Sequence, residues 1–146
     1  MIRLIKLLPI AIFILFVGSC KKDETPPPDP NITFKATLSG ANEAPNPNAS
    51  TATGNSTATF NTTTKILTVT TTYTGLTPTL GHVHKGAVGV AGGVIFPFTN
   101  LASPIVLTTP ALDATQEADL MANLYYTNLH TAAFPGGEIR GQLIKQ

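Results

Sequence analysis

The chain has a single cysteine, few charged side chains and no excess of charge of either sign. One cysteine among 146 residues excludes an intrachain disulfide. Charged residues make up 12% of the chain and its net charge is +1, so it lacks the basic patch through which proteins bind nucleic acid. Hydrophobic residues make up 42%, which is typical of one globular domain and not of a disordered tail.

Familiar catalytic motifs are also missing. The sequence contains no Gly-x-Ser-x-Gly elbow of an α/β-hydrolase. The glycine-rich run at 86–93 lacks the lysine of a phosphate-binding loop. These absences leave binding or metal chemistry as the functions to consider.

No apolar stretch reaches the length of about 20 residues that a transmembrane helix needs. The apolar run Leu7–Val17 is shorter and follows basic Arg3 and Lys6, as in a signal peptide. The small residues before Cys20 resemble a bacterial lipobox. That resemblance implies a signal peptide over residues 1–19, cleavage before Cys20 and acylation of its sulfur. An ordinary secretory signal with an incidental cysteine is the alternative.

Residues 20–30 predict a spacer between the acylated Cys20 and the folded part. Four prolines in this segment favour the extended polyproline II conformation. Lys22-Asp23-Glu24 resembles the export tag of some bacterial surface lipoproteins, although a plain solvated linker fits equally. We therefore expect a lipid-anchored protein of the bacterial cell envelope, on the outer membrane and facing the periplasm or the surface, with the membrane as its first partner.

Residues 31–146 predict an all-β domain, a Greek-key sandwich or barrel. Threonine is abundant from 50 to 79, and apolar and polar residues alternate there, as in half-buried strands. Asp113 and Gln116 form a capping pattern that predicts one short helix over 114–123. Two strands then close the chain, Tyr125–Thr131 and Glu138–Ile144.

Three histidines carry the chemical hypothesis. His82 and His84 flank Val83, and on a strand residues i and i+2 share a face. His130 lies on the penultimate predicted strand, so three imidazoles meet if that strand lies beside the first. Such a set suits a copper or zinc ion and leaves one coordination position open. The alternative is that the rings are surface residues and that His130 bonds a backbone carbonyl.

Two charged residues of the last strand are candidates for supporting roles. Glu138 and Arg140 share a face that a hairpin would bring near His130. Glu138 is a candidate acceptor for the second N–H of a ligating imidazole. An exposed ion pair between the two is the alternative. Glu43, after an early turn, either caps that turn or places a carboxylate near the site.

Four segments of the chain stand out as sequence motifs. They are Leu38-Ser39-Gly40-Ala41-Asn42-Glu43-Ala44-Pro45, Gly81-His82-Val83-His84-Lys85-Gly86, Tyr126-Thr127-Asn128-Leu129-His130-Thr131 and Pro135-Gly136-Gly137-Glu138-Ile139-Arg140-Gly141-Gln142-Leu143. Together they resemble the CHRD domain, a module named for chordin and found in bacterial exported proteins. The resemblance spans about Ile32 to Ile144 and implies an extracytoplasmic β-domain whose biochemical role is poorly defined. Small departures are Ala44, where a larger aliphatic is usual, and Val83 in place of isoleucine.

The histidine arrangement is also similar to the copper half of Cu,Zn superoxide dismutase. In that family a His-Val-His strand and a penultimate strand supply copper ligands, which implies His82, His84 and His130 here. This chain has no fourth histidine to bridge to zinc and no disulfide. These differences argue against superoxide dismutation, but they are compatible with a mononuclear copper or zinc site.

We therefore expect a non-catalytic binding module with a three-histidine copper or zinc site. Two alternatives remain open: a superoxide dismutase-like copper redox enzyme, and a metal-free adhesion module. The expected partner of either binding module is a protein or glycan of the envelope or the extracellular space, and not nucleic acid.

Overall fold

The computed structural model describes residues 28–146, and most regular structure in that part of the chain is β-strand. The all-β prediction is confirmed. The predicted signal peptide, Cys20 and most of the proline-rich spacer lie outside the described residues. The strands are β1 (Asn31–Ser39), β2 (Thr53–Asn61), β3 (Leu67–Thr74), β4 (Leu80–Lys85), β5 (Gly93–Pro97), β6 (Ile105–Thr108), β7 (Tyr125–His130), β8 (Ile139–Gln142) and β9 (Ile144–Lys145).

These nine strands form one antiparallel sheet that curls into a half-barrel. Eight of them follow the order β5-β4-β7-β8-β1-β2-β3-β6, and β9 pairs with β1. Strand β7 therefore lies between β4 and β8. Within that pairing His82 is opposite Asn128, and Leu80 is opposite His130. The strands that carry the three histidines are neighbours, as the metal hypothesis requires.

The core lies on the concave face of the sheet, where apolar side chains of alternate strand positions meet. Strands β1, β2 and β3 show this most regularly. Phe34 of β1, Phe60 of β2 and Val69 of β3 are fully buried, whereas the threonines between such positions are exposed or half-buried. The threonine-rich alternation therefore predicts these strands correctly, since period-2 patterning places every second side chain in the core.

The single α-helix of the described residues, α1 (Ala114–Met121), begins where the capping pattern predicts. The Asp113 carboxylate accepts a hydrogen bond from the Gln116 N–H at 2.8 Å, and the Gln116 side chain accepts one from the Asp113 N–H at 3.1 Å. The helix ends earlier than predicted, and Asn123 adopts a left-handed φ of 58°. Leu120 anchors it to the core. No helix in residues 28–146 is long and apolar enough to cross a membrane.

The last predicted strand is interrupted. Strand β8 ends at Gln142, and β9 begins at Ile144 beside β1. Leu143 between them is fully buried, and its N–H donates to the Tyr125 carbonyl. Strand β8 pairs with both β7 and β1, and after the break β9 pairs with β1.

Candidate metal centre

The three histidines gather on the outer face of strands β4 and β7. His82 and His84 point to this face, while Val83 between them is fully buried on the other. One nitrogen of each ring lies within 4.8 Å of the others, and His82 Nδ1 is 3.3 Å from His130 Nε2. The predicted convergence of three imidazoles is therefore what the structure shows.

Backbone carbonyls orient two of the rings. His84 Nδ1 is 3.0 Å from the Gly92 carbonyl, and His130 Nδ1 is 3.0 Å from the Pro135 carbonyl. A carbonyl oxygen only accepts, so both Nδ1 atoms carry the hydrogen and donate it. In the neutral ring this leaves the lone pair on Nε2. His84 Nε2 is buried and has no hydrogen-bond partner, as expected for an atom reserved for a ligand.

His82 is less buried than the other two and completes the set. Because His130 Nε2 carries a lone pair, the His82 Nδ1–H is the donor of their 3.3 Å contact. A metal ion that takes the His130 lone pair would replace this hydrogen bond. The arrangement therefore holds the rings together in a form that an ion can displace.

The surroundings of His82 and His84 favour the neutral form of these two rings, which is the form that binds metal. Burial lowers the pKa of His82, and the charges of His130 and His84 lower it further. Burial also lowers the pKa of His84, against the opposing effect of its hydrogen bond to Gly92, and the charges of His130 and Arg140 add to the lowering. The site thus disfavours protonated rings that would repel a cation.

The nitrogen spacing matches a tetrahedral ion closely at one edge and loosely elsewhere. Bonds of about 2.0–2.1 Å place neighbouring ligand nitrogens about 3.3–3.4 Å apart in a tetrahedron. His82 Nδ1 and His130 Nε2 already have this spacing at 3.3 Å, and His82 ligates through Nδ1 once its hydrogen has moved to Nε2. The widest separation, within 4.8 Å, requires a ring to move inward on binding. Three neutral imidazoles suit copper or zinc and leave one position for another ligand.

Glycine is required where the carbonyl contact to His84 is made. A Cβ atom at Gly92 would overlap the Lys85 carbonyl oxygen, so only glycine lets the chain pass this close to β4. The Gly92 N–H donates to the Tyr126 hydroxyl at 2.9 Å. Hydrogen bonds thus hold both the N–H and the carbonyl of Gly92.

Tyr126 and Arg140 continue the site as a stack. The Tyr126 ring lies parallel to His84, with a centroid separation of 4.8 Å and an interplanar angle of 9°. The Arg140 guanidinium carbon lies 3.5 Å from the Tyr126 centroid, in cation–π contact. Arg140 is therefore near the histidines, as predicted, but Tyr126 separates it from them.

The predicted role of Glu138 is wrong. The Pro135 carbonyl accepts the His130 Nδ1–H in its place. Glu138 accepts hydrogen bonds from the hydroxyls of Thr131 and Ser50, the latter at 2.7 Å. The carboxylate is buried and does not form an exposed ion pair with Arg140 either. Glu138 instead ties the segment after β7 to the segment before β2.

Glu43 lies on the same polar side of the molecule. It is buried and accepts a weak hydrogen bond from the Asn128 side-chain amide at 3.4 Å. Burial raises its pKa to about 7, against the lowering effect of the Arg140 charge and of its hydrogen bonds. Its bond to Asn128 places the Glu43 carboxyl beside β7, two residues before His130 along that strand, and neither sequence interpretation of Glu43 is tested by this contact.

We call the outer surface of β4, β7 and β8 the polar face. It contains every buried side-chain polar atom of the described residues that has no hydrogen-bond partner, together with the Glu43 carboxyl that packs on it. Buried polar atoms without a partner are rare in folded proteins, and a bound ligand is one explanation for them. They are Glu43 Oε1, His84 Nε2, Asn128 Oδ1 and Arg140 Nη1.

Some residues of this site were missed by sequence reasoning. Tyr126 and Asn128 precede His130 at intervals of two, so strand alternation already assigns them to its face. The carbonyls of Gly92 and Pro135 carry no such signal, because every residue has a carbonyl.

Comparison with known proteins supports the family resemblance. The family model of the CHRD domain matches residues 34–143. No curated protein and no solved structure matches the chain. The matched segment includes β1 to β8 almost completely, and all three histidines. The chain belongs to the CHRD domain family.

Proposed function

We propose that this protein is a lipoprotein of the cell envelope whose CHRD domain binds one copper or zinc ion through His82, His84 and His130. The buried, unpartnered Nε2 of His84 is the observation that carries the proposal. Its partner atom Nδ1 is already used by the Gly92 carbonyl, so Nε2 has no other function in the fold. The domain acts as a binding module and not as an enzyme.

The residues of the site have different roles in holding an ion. The Gly92 and Pro135 carbonyls fix the tautomers of His84 and His130. These two rings therefore need no further ordering when the ion binds. His82, which is more exposed, is the ring free to turn inward. An ion bound here supplies Lewis acidity and one open position, to which an external group can bind.

Calorimetric titration with Cu²⁺ and with Zn²⁺ tests the metal site. We expect binding of one equivalent by the wild-type chain and loss of at least about 100-fold in affinity in a His82→Ala, His84→Ala double variant, which removes two ligands. A Thr68→Ala, Thr70→Ala double variant is the matched control, because it changes two alternate residues of β3. Unchanged binding in the histidine variant would remove the proposal.

Two further measurements separate the alternatives. Rapid superoxide loss by the copper-loaded protein would support the redox alternative, whereas we expect none. Recovery of a specific envelope protein or glycan on both the wild type and the histidine double variant would favour the metal-free adhesion module. If recovery requires the histidines, the metal site is part of the binding surface.

The membrane anchor is a separate part of the proposal and depends on Cys20. Lipid attached at this cysteine would hold the protein on the outer membrane, and the proline-rich segment would space the domain from it. Mass spectrometry of the protein extracted from membranes should show the acyl mass on Cys20. A Cys20→Ser chain that still fractionates with membranes would contradict the anchor but not the metal site.

A further inference from the structure

A separate concavity opens on the polar face. It has a volume of about 440 Å³ and is lined by the segment 41–47, by Val88 and Gly89, and by Arg140 and Gln142 of β8. The residues that line it include none of the three histidines. Its volume lies within the range of about 300–1,000 Å³ typical of small-molecule sites. It is therefore a candidate ligand site in its own right.

Two buried ionisable groups, an arginine and a carboxyl, lie in the wall of this cavity without full partners. Arg140 is 2% exposed and Glu43 is 5% exposed. Arg140 Nη1 and Glu43 Oε1 are both buried and make no hydrogen bond. Within residues 28–146 the ion pairs are Lys65–Glu117 and Lys85–Asp119, so these two groups do not neutralise each other directly. Leaving such atoms unpaired costs free energy, and a bound molecule that supplies the missing hydrogen bonds removes this cost.

The rest of the guanidinium is already fixed. Its other terminal nitrogen, Nη2, donates to the Ala87 carbonyl at 2.9 Å, and its flat face rests on Tyr126. Nη1 is therefore a positioned donor and not the end of a mobile side chain. Positioned arginine donors suit carboxylate oxygens, which accept charge-assisted hydrogen bonds.

A carboxylate has two acceptor oxygens, one for each unpaired atom, and the cavity wall must open slightly for them to reach these buried atoms. One oxygen accepts from Arg140 Nη1, and the other accepts from Glu43 Oε1 when that carboxyl is protonated. Ala44, Pro45 and Val88 add apolar surface to the cavity, which suits a carbon body attached to the carboxylate. Burial supports the protonated form, since it raises the pKa of Glu43 to about 7.

We propose that this cavity binds a small organic carboxylate with a compact apolar body, held by Arg140 and Glu43. The inference goes beyond metal binding and uses different residues. The stack of Arg140, Tyr126 and His84 places the two sites side by side. The protein would then hold an ion and an organic acid on one face.

The acidity of the solution should control this binding. Glu43 and Arg140 are the ionisable residues that line the cavity, with Tyr126 beneath the guanidinium and His84 beyond it. Below pH 7 Glu43 is protonated and donates. Above pH 7 its negative charge repels a carboxylate, so affinity should fall as the pH rises.

Titration of the full chain with benzoate tests the inference. The protein is first depleted of metal by dialysis against a chelator that is then removed, so a failure of the metal proposal does not affect the result. Benzamide, of nearly the same shape but uncharged, is the matched control. We expect benzoate to bind at least tenfold more tightly than benzamide at pH 6 and to weaken several-fold by pH 8.5. Equal affinity for both, or no binding of benzoate, would overturn the inference.

Variants locate the site. Arg140→Gln should abolish the preference for benzoate, and Val88→Glu serves if that buried variant fails to fold. Val88 is 73% exposed, so a glutamate there keeps the fold and adds a repelling charge at the cavity. Val106→Glu, at a residue 58% exposed on β6, is the control. We expect benzoate binding to be about tenfold weaker in Val88→Glu and unchanged in Val106→Glu. Equal binding in both would place benzoate elsewhere and contradict the proposal.

Discussion

One end of the sheet is a regular scaffold and the other carries the candidate sites, although both use the same antiparallel pairing. In the hairpin of β2 and β3 burial alternates with every residue, and the outer side chains, such as Thr57, are exposed. In β7 every residue from Tyr125 to His130 is buried. The segments 41–48 and 86–92 lie against the outer side of β7 and β8 and account for this difference. Covering a polar strand face, and not changing the strand itself, creates the site.

The two regions also differ in how they treat buried polar atoms. In the hairpin, the Ser56 hydroxyl lies 2.7 Å from the Thr71 hydroxyl and donates to that of Thr127 at 3.2 Å. This small network is complete. On the polar face four buried atoms have no partner. The comparison teaches that satisfied buried polar groups mark structure here, and unsatisfied ones mark the candidate sites.

Removing Arg140 should produce the largest loss of stability. Arg140→Ala deletes the contact with Tyr126 and the hydrogen bond to Ala87, and it leaves Glu43 without its nearby cation. We expect a cost of about 3 kcal/mol in the free energy of unfolding. Thr57→Ala on the exposed side of the hairpin should change it by less than about 0.5 kcal/mol. Urea unfolding at pH 7 measures both, and similar losses would break the comparison.

Replacing Glu43 by glutamine should reveal a pH-dependent penalty. The pKa of Glu43 is raised from its usual 4.5 to about 7 in the folded chain, so the folded state holds the proton more tightly than the unfolded state. Stability conferred by the protonated group is then lost as the pH rises between these values. Glu43→Gln cannot ionise and escapes this loss.

We expect the free energy of unfolding of Glu43→Gln to exceed that of the wild type by an amount that depends on pH. This difference grows from near zero at pH 4.5 to an upper limit on the order of 3 kcal/mol above pH 7. Urea unfolding at pH 4.5 and pH 8.5 checks it. A difference that is the same at both pH values would show that ionisation of Glu43 is not involved.

Disturbing the backbone behind His84 should weaken metal binding without touching a ligand. Gly92→Ala forces the chain away from the Lys85 carbonyl and so removes the Gly92 carbonyl from His84. Loss of such an orienting contact typically lowers metal affinity about 10–100-fold. The neighbouring Gly93→Ala is the matched control, since nothing lies within 4 Å of its added Cβ. Metal titration of both variants checks this, and equal affinities would contradict the proposed role of the carbonyl.

The smallest effect is expected for the satisfied network of the hairpin. Ser56→Ala removes two hydrogen bonds from a fully buried position, which should cost about 1–2 kcal/mol in unfolding free energy. It should leave metal affinity unchanged, because the network lies on the concave side of the sheet. A change in metal affinity would show that the two regions are coupled.

Sequence patterns predicted the scaffold region better than the region that carries the candidate sites. Alternation identified β1, β2 and β3, and the capping pair at Asp113 and Gln116 identified the start of α1, because both signals are local. The interruption at Leu143 was missed, since it depends on pairing with β1, a strand over 100 residues away in sequence.

The cluster of histidines was predictable from the sequence, but the contacts that support it were not. The i, i+2 spacing of His82 and His84 and the position of His130 predict three neighbouring imidazoles, and the structure shows that cluster. Glu138 was assigned a role because its strand was correctly placed, yet Thr131 and Ser50 bind it and Pro135 takes its predicted place. Such competition among acceptors is decided by loop geometry, which no local pattern encodes.

X-ray absorption spectroscopy of the zinc- or copper-loaded protein tests the central claim most directly. We expect one ion with three imidazole nitrogens at about 2.0–2.1 Å, and one imidazole fewer in a His130→Gln variant. A bound ion with fewer than three imidazoles, or one whose spectrum is unchanged by His130→Gln, would contradict the three-histidine site.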